Sequence, residues 1–223
     1  MNGEERLAAF SDGVIAIIIT IMVLELRVPP GGDLAALRPL VPVFLSYVLS
    51  FVYVGIYWNN HHHLLAATER VNGAILWANM HLLFWLSLAP FTTAWMGEHR
   101  HESAPTAAYG VLLLAASLAY WILQRAILAA QGPGSRLASA VKGDLKGKLS
   151  PVFYALAVVL AFVRPWLADG LYVLVVLMWL IPDRRIERVL SDSPGEGDES
   201  AASTGATPVT PPEPGTAPRR TRS

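Results

Sequence analysis

Long apolar blocks separated by short polar segments make up most of this 223-residue chain. Apolar runs of about 18 residues or more are typical of helices that span a membrane. The pattern predicts six such spans, at residues 7–26, 40–58, 73–96, 107–128, 151–167 and 171–181. The last two are the weakest, because Arg164-Pro165 and Asp169-Gly170 crowd their connection. We therefore expect an all-α, polytopic membrane protein with six transmembrane helices.

Proline and glycine mark the ends of these spans and one irregularity inside them. Pro29-Pro30-Gly31-Gly32 predicts a turn after the first span, and Gly132-Pro133-Gly134 opens the loop after the fourth. Pro90 lies inside the third span. Proline lacks a backbone N–H and its ring clashes with the preceding helical turn, so we expect a kink there.

The composition changes near Ser191. Residues 191–223 lack aromatic side chains and are rich in Pro, Ser, Thr and Gly, so they cannot bury enough apolar surface to fold. The chain is thus expected to consist of a membrane domain, residues 1–190, and a disordered tail, residues 191–223.

The basic residues predict the orientation in the membrane. With six spans both termini lie on one side, and that side carries 13 of the 17 lysines and arginines. Positive charge accumulates on the cytoplasmic side of membrane proteins. We therefore expect a multi-pass protein of the cell membrane with both termini in the cytoplasm.

Composition and motifs exclude several function classes. Only 15% of residues are charged and the formal net charge is zero, which gives no reason to expect nucleic acid as a partner. Cysteine is absent, so there is no thiol nucleophile or thiolate metal site. His61, His62 and His63 are consecutive, and consecutive helical side chains diverge by about 100°. We expect no metal, no cofactor and, in the absence of HExxH or GxSxG motifs, no enzyme.

A helical wheel of the first span gathers its large apolar residues into one stripe. The members, all within about 40° of Phe10, are Phe10, Val14, Ile17, Ile21 and Leu24. Thr20 borders this stripe, whereas Asp12 falls on the opposite side, so Asp12 and Ile17 face different surroundings. Such a stripe is also typical of a lipid-facing or packing surface, and the pattern alone does not identify a pore.

A carboxylate in the membrane core is costly unless it meets a partner or water. His81 lies about 13 Å into the third helix, at a depth similar to that of Asp12, and we expect the two to pair. The hypothesis is a polar network near the cytoplasmic side, comprising Arg6, Ser11, Asp12, Trp58, Asn59, His62 and His81. Of the three consecutive histidines, His62 is assigned to this network.

One string of the first helix resembles a known signature. Arg6-x-x-x-Phe10-Ser11-Asp12-Gly13, followed by Ile17, Thr20 and Leu24-Glu25, resembles the start of the first helix in the transmembrane protein 175 potassium channels, prokaryotic branch. The six-span layout, the tryptophan–histidine end of the second span and Pro90-Phe91 agree with it. The resemblance extends over residues 4–187.

The resemblance implies a homotetrameric, potassium-selective channel in the lipid bilayer, without a TVGYG filter. The first helix of each copy would line the pore, with Ile17 as the main constriction and Ile21 and Leu24 further along. Thr20 would form the selectivity layer. Phe10, Ser11 and Asp12 would hold the helix in place through Arg6 and the neighbouring helices.

A coupled secondary transporter is the alternative. Asp12, Glu25 and His81 would then act as proton or cation relays. No inverted repeat is visible in the sequence, as many transporters of this kind would have.

Overall fold

The computed structural model describes residues 3–68, 70–132 and 145–181, and these residues form helices without any β-strand. A short 3-10 helix, Leu34–Leu40, precedes the second α-helix. The α-helices in chain order are α1 Gly3–Leu24, α2 Val41–Ala66, α3 Gly73–Ser87, α4 Ala89–Glu98, α5 Ser103–Gln131, α6 Leu145–Ala161 and α7 Pro165–Leu180. The predicted all-α, multi-span architecture is confirmed, with α3 and α4 together forming the third span.

Within the described residues, four segments are long and apolar enough to cross a membrane, namely Gly3–Leu24, Leu34–Ala66, Gly73–Glu98 and Ser103–Gln131. α6 and α7 are shorter, and they pack against each other and against α5. The predicted tail, residues 191–223, and the domain boundary at residue 190 lie outside the described residues.

The second helix is longer than predicted. It ends at Ala66 rather than at Trp58. The predicted boundary was wrong because the apolar block ends at Trp58 but the helix does not. Backbone hydrogen bonding continues through the polar residues and the histidines that follow. All three histidines therefore point in directions fixed by α2.

Local sequence signals set the other helix ends. Asp33 and Asn72 each accept a hydrogen bond from the backbone N–H three residues later, at 3.1 and 3.0 Å, and so begin the 3-10 helix and α3. Pro165 occupies the first turn of α7, where no N–H is needed. α5 ends at Gln131 and is followed by Gly132, whose φ of 85° suits glycine.

At the predicted kink near Pro90 the α-helix is interrupted at one residue, Leu88. α3 ends at Ser87, and the Leu88 N–H bonds to the Trp85 carbonyl at 3.1 Å, a tighter turn than in an α-helix. α4 then begins with Pro90 in its first turn. Further along α4, a Cβ on Gly97 would lie 2.9 Å from Val43 Cα, so glycine there permits close packing of α4 on α2.

Two clusters of buried residues hold the helices together. The first joins α1, α2, α3 and α5 through apolar side chains such as Ile15, Leu82 and Leu123. The second joins α2, α5, α6 and α7 and contains four tyrosines, Tyr53, Tyr109, Tyr154 and Tyr172. α1 belongs to the first cluster by one face only, and its other face is exposed.

Candidate functional site

α1 has one buried face and one exposed face. The buried face, packed against α2, α3 and α4, consists of Leu7, Ser11, Ile15, Ile18 and Met22. On the other face Phe10, Ile17, Ile21 and Leu24 are 50%, 59%, 41% and 79% exposed. These four are the residues of the predicted stripe, while Val14 is half-buried at its edge. No described part of the chain covers the stripe.

Thr20 is exposed on the same face. Its Oγ1 donates a hydrogen bond to the Ile17 carbonyl at 2.9 Å, so the hydroxyl hydrogen is used within the helix. The oxygen lone pairs are left to accept from, or contact, a positively charged group. Thr20 thus places an oxygen ligand beside the apolar stripe.

Small residues occupy the exposed surface next to the stripe. Ala9, Gly13 and Ala16 are all exposed, and a Cβ built on Gly13 would meet nothing within 4 Å. Small side chains let another helix approach closely. At these positions α1 therefore presents small, exposed residues, against which another helix can pack closely.

Asp12 lies behind the stripe, as the wheel indicated. Trp58 Nε1 of α2 donates a hydrogen bond to Asp12 Oδ1 at 2.9 Å. Asp12 is half-buried, and Trp58 is 44% exposed. This contact joins α1 to α2 and gives the carboxylate a donor.

A buried chain of three polar side chains ties α1, α2 and α3 together. His61 Nε2 lies 2.6 Å from Asn79 Oδ1, and Asn79 Nδ2 donates to Ser11 Oγ at 2.9 Å. Ser11 Oγ in turn donates to the Leu7 carbonyl at 2.8 Å. Because the Asn79 oxygen accepts, the His61 Nε2 carries the proton. All three side chains are buried, at 0–1% exposure.

Two members of this chain were missed in the sequence. His62, the histidine assigned to the network, is exposed and stacks against Trp58 with ring centroids 6.0 Å apart. His61 takes the buried position because it precedes the buried residues Leu64 and Leu65 by three and four positions, on the same helix face. This helical spacing was the sequence signal that could have identified His61 as the buried histidine.

The expected pairing of His81 with Asp12 is wrong. His81 is exposed, and its Nε2 accepts a hydrogen bond from Trp85 Nε1 of the same helix at 2.9 Å. Asn79 faces α1 instead, and a residue two positions later on a helix points about 200° away. The sequence did not single out Asn79, because only a titratable residue at the depth of Asp12 was expected to pair with Asp12.

The remaining members of the predicted network do not take part in the buried Ser11–Asn79–His61 chain. Arg6 and Asn59 are exposed and, within the part of the chain that the structure describes, contribute no contact to the polar chain. Phe10 lies at the start of the exposed stripe. Among the described residues no group of three or more His, Asp or Glu side chains is arranged to hold a metal ion.

Comparison with known proteins finds a matching family and several similar proteins. A family model described as the endosomal/lysosomal potassium channel TMEM175 matches residues 6–90, which include α1, α2 and α3. A protein of Chryseobacterium sp. (strain P1-3), named a potassium channel, is 53% identical over 188 residues, which cover 84% of this chain and 98% of that protein. A potassium channel of Chamaesiphon minutus is 32% identical over 177 residues, or 74% of this chain and 87% of that protein.

The fold is also similar to a solved structure. The crystal structure of a lysosomal potassium-selective channel TMEM175 homolog from Chamaesiphon minutus superposes with a TM-score of 0.72 at 27% sequence identity. The similarity covers 81% of this chain and 98% of the solved chain.

Proposed function

The chain belongs to the TMEM175 potassium channel family, and from this premise we propose that four copies form a pore that conducts potassium ions passively. α1 of each copy lines this pore, and the other helices hold α1 in position. The family is one of ion channels, not enzymes.

The observation that carries this proposal is the exposed face of α1. A face that merely contacts lipid would need only apolar side chains, and Thr20 is an exposed polar residue in the middle of it. A polar side chain within a span more often faces a cavity or another helix than lipid. The adjacent Ala9, Gly13 and Ala16 suit close approach of a neighbouring copy. Closed symmetry about one axis would bring four such faces together.

Each residue of the face has a role in the proposed pore. A ring of four Ile17 side chains makes a hydrophobic constriction, which gates by excluding water. Ile21 and Leu24 extend the constriction by one and two helical turns. Thr20 supplies a layer of oxygens for the selection of potassium.

The back of α1 carries the bracing contacts. The Asp12–Trp58 hydrogen bond and the buried Ser11–Asn79–His61 chain fix the rotation of α1 about its own axis. A rotation of one residue, about 100°, would turn Ile17 away from the axis. In the proposed pore, the polar contacts on one face of α1 therefore hold the apolar constriction on its other face in position.

We place the protein in the cell membrane with both termini in the cytoplasm, as the distribution of basic residues predicts. The transporter alternative expected Asp12, Glu25 and His81 as relays, but Asp12 and His81 do not bond to each other: Asp12 accepts from Trp58 and His81 accepts from Trp85.

The direct test of function is reconstitution into planar bilayers with asymmetric potassium and sodium. We expect unitary currents whose reversal potential lies near the potassium equilibrium potential. The matched variant Thr20→Val, which keeps the shape and removes the oxygen, is expected to move the reversal potential toward zero. Saturating uptake with a fixed coupling ratio, in place of currents, would contradict the proposal.

A further inference from the structure

The apolar stripe of α1 ends beside a carboxylate. Leu24, the last member of the stripe and the last residue of the helix, is 79% exposed. Glu25 follows it directly and is also exposed, so the Cα atoms of the two residues are about 3.8 Å apart. In the orientation that the basic residues predict, this end of α1 is the extracellular one. Whatever the stripe lines therefore has a glutamate at its outer end.

The next basic residue along the chain, Arg27, is already paired. Its Nη2 lies 3.0 Å from Glu98 Oε1 at the end of α4, whereas Glu25 belongs to no ion pair within the part of the chain that the structure describes. The three side chains line one cleft, and two carboxylates and one guanidinium give it a formal net charge of −1. Since Arg27 and Glu98 compensate each other at short range, Glu25 supplies the uncompensated charge.

The proposed tetramer multiplies this charge. Four α1 helices around one axis place four Glu25 side chains at the same level, and four net charges of −1 sum to −4. A helix with its side chains is about 10 Å wide, which puts each carboxylate about 10 Å from the axis. At this distance a carboxylate does not coordinate an ion on the axis and acts through its electric field alone.

We propose that Glu25 is the residue that concentrates cations at the extracellular mouth of the pore. The inference rests on the proposed function, since the carboxylates ring an opening only if α1 lines it. Thr20, one turn before Leu24, then selects among cations, whereas Glu25 raises their concentration at the entrance and repels anions. The effect has a direction, because potassium that enters from the cytoplasm reaches Glu25 last.

Coulomb's law gives the size and the salt dependence of the effect. At 0.1 M salt, where the Debye length is about 10 Å, four unit charges about 10 Å from the axis raise the cation concentration there about threefold. At 0.01 M salt the Debye length is about 30 Å and the factor is roughly sevenfold, and at 1 M the enrichment disappears. A side chain that matters only for packing would show no such dependence on salt.

Charge can be restored at this position in a single channel, because the chain contains no cysteine. Potassium current through Glu25→Cys is recorded in planar bilayers before and after addition of a methanethiosulfonate that carries a sulfonate. We expect entry from the Glu25 side to rise about threefold in 0.1 M KCl, roughly sevenfold in 0.01 M and not at all in 1 M. A reagent of similar size that carries a trimethylammonium should lower the same current, which separates charge from bulk.

Glu102→Cys is the matched control. Glu102 is an exposed glutamate on the same predicted side of the membrane, but it precedes α5, whereas α1 packs against α2, α3 and α4. Both reagents should leave its current unchanged. Equal currents of Glu25→Cys and the parent in 1 M KCl show that the variant is assembled and open.

The Arg27–Glu98 pair supplies a second test of the same charge count. Glu98→Gln leaves Arg27 uncompensated and should lower entry as much as Glu25→Gln does, whereas Arg27→Gln combined with Glu98→Gln keeps the net charge of −1 and should conduct like the parent. If both reagents change the Glu25→Cys current alike, or neither changes it, while the potassium reversal potential is retained, the inference is overturned and the proposed function stands. Absence of potassium current in the parent would overturn both.

Discussion

Ile17 is the side chain on which the proposed pore depends most. It is 59% exposed on the uncovered face of α1, whereas the adjacent Ile18 is 3% exposed and packs in the core. Neighbouring isoleucines therefore have unrelated tasks, one facing the proposed axis and one holding the helix in the bundle.

Replacing Ile17 with asparagine should raise potassium flux severalfold, because a ring of amides lets water enter a constriction that isoleucine keeps dry. Flux is measured in proteoliposomes with a potassium-sensitive dye. Ile122→Asn is the matched control, since Ile122 is 40% exposed on α5, whereas α1 packs against α2, α3 and α4. Unchanged flux in Ile17→Asn would remove Ile17 from the constriction.

Asn79 links two buried side chains; its loss would leave His61 Nε2 without its acceptor, while Ser11 would keep only its bond to the Leu7 carbonyl. Asn79→Ala should lower the free energy of unfolding by about 1–3 kcal/mol, since the buried His61 N–H would be left desolvated and unsatisfied. Thermal unfolding of the detergent-solubilised protein measures the change. Asn59→Ala removes an exposed amide and should stay within about 0.5 kcal/mol of the parent. Equal stability of the two variants would show that the buried chain contributes nothing.

α1 and α2 share one hydrogen bond, between Asp12 and Trp58, that can be isolated. A double-mutant cycle of Asp12→Ala and Trp58→Phe should give a coupling free energy of about 1.5 kcal/mol in thermal unfolding, the lower end of the range for bonds to charged groups because Trp58 is half exposed. Additive effects of the two changes would mean that the 2.9 Å contact does not hold the helices together.

The contact between α5 and α7 depends on a glycine. A Cβ at Gly110 would overlap the Tyr172 hydroxyl and lie 2.8 Å from Val158 Cγ2, and Tyr172 is fixed because its hydroxyl donates to the Thr106 carbonyl at 2.9 Å. Gly110→Ala should therefore cost about 1–3 kcal/mol of stability.

Gly170→Ala on α7 is the control, since a Cβ there would meet nothing within 4 Å. Alanine in a helix is favoured over glycine, so this variant should be neutral or up to about 1 kcal/mol more stable. A Gly110→Ala variant as stable as the parent would show that Tyr172 can move aside.

The helices could be predicted more fully than the contacts between them. Apolar blocks located the spans, and the chemistry of Pro90 located the break between α3 and α4. The end of α2 could not be predicted from hydropathy, since hydrogen bonding carries a helix past the apolar residues to Ala66. The periodicity of α1 predicted that the apolar stripe and Asp12 lie on different faces, because this spacing acts within one helix. Partner choice depends on the rotation of two helices at once, which is why His61 and Asn79 were missed.

A single copy leaves the apolar stripe of α1 exposed, and the proposed assembly covers it. In the proposed tetramer each copy would contribute one face of α1 and receive its neighbour at another, a ring-forming, heterologous contact. The small residues Ala9, Gly13 and Ala16 flank the stripe on one side, and the cleft that Phe91 and Trp95 of α4 form with α1 flanks it on the other. Copies arranged in this way would turn the stripe into the wall of a central conduit.

The surroundings of Ile17 in the membrane can be measured with a unique thiol, because the chain contains no cysteine. In planar bilayers the Ile17→Cys protein is exposed to a water-soluble, positively charged thiol reagent while potassium current is recorded, with Ile122→Cys on α5 as the control. We expect irreversible loss of current in Ile17→Cys and none in the control. Unchanged current through Ile17→Cys, with its thiol modified only by a membrane-soluble maleimide, would place Ile17 against lipid and contradict a pore lined by α1.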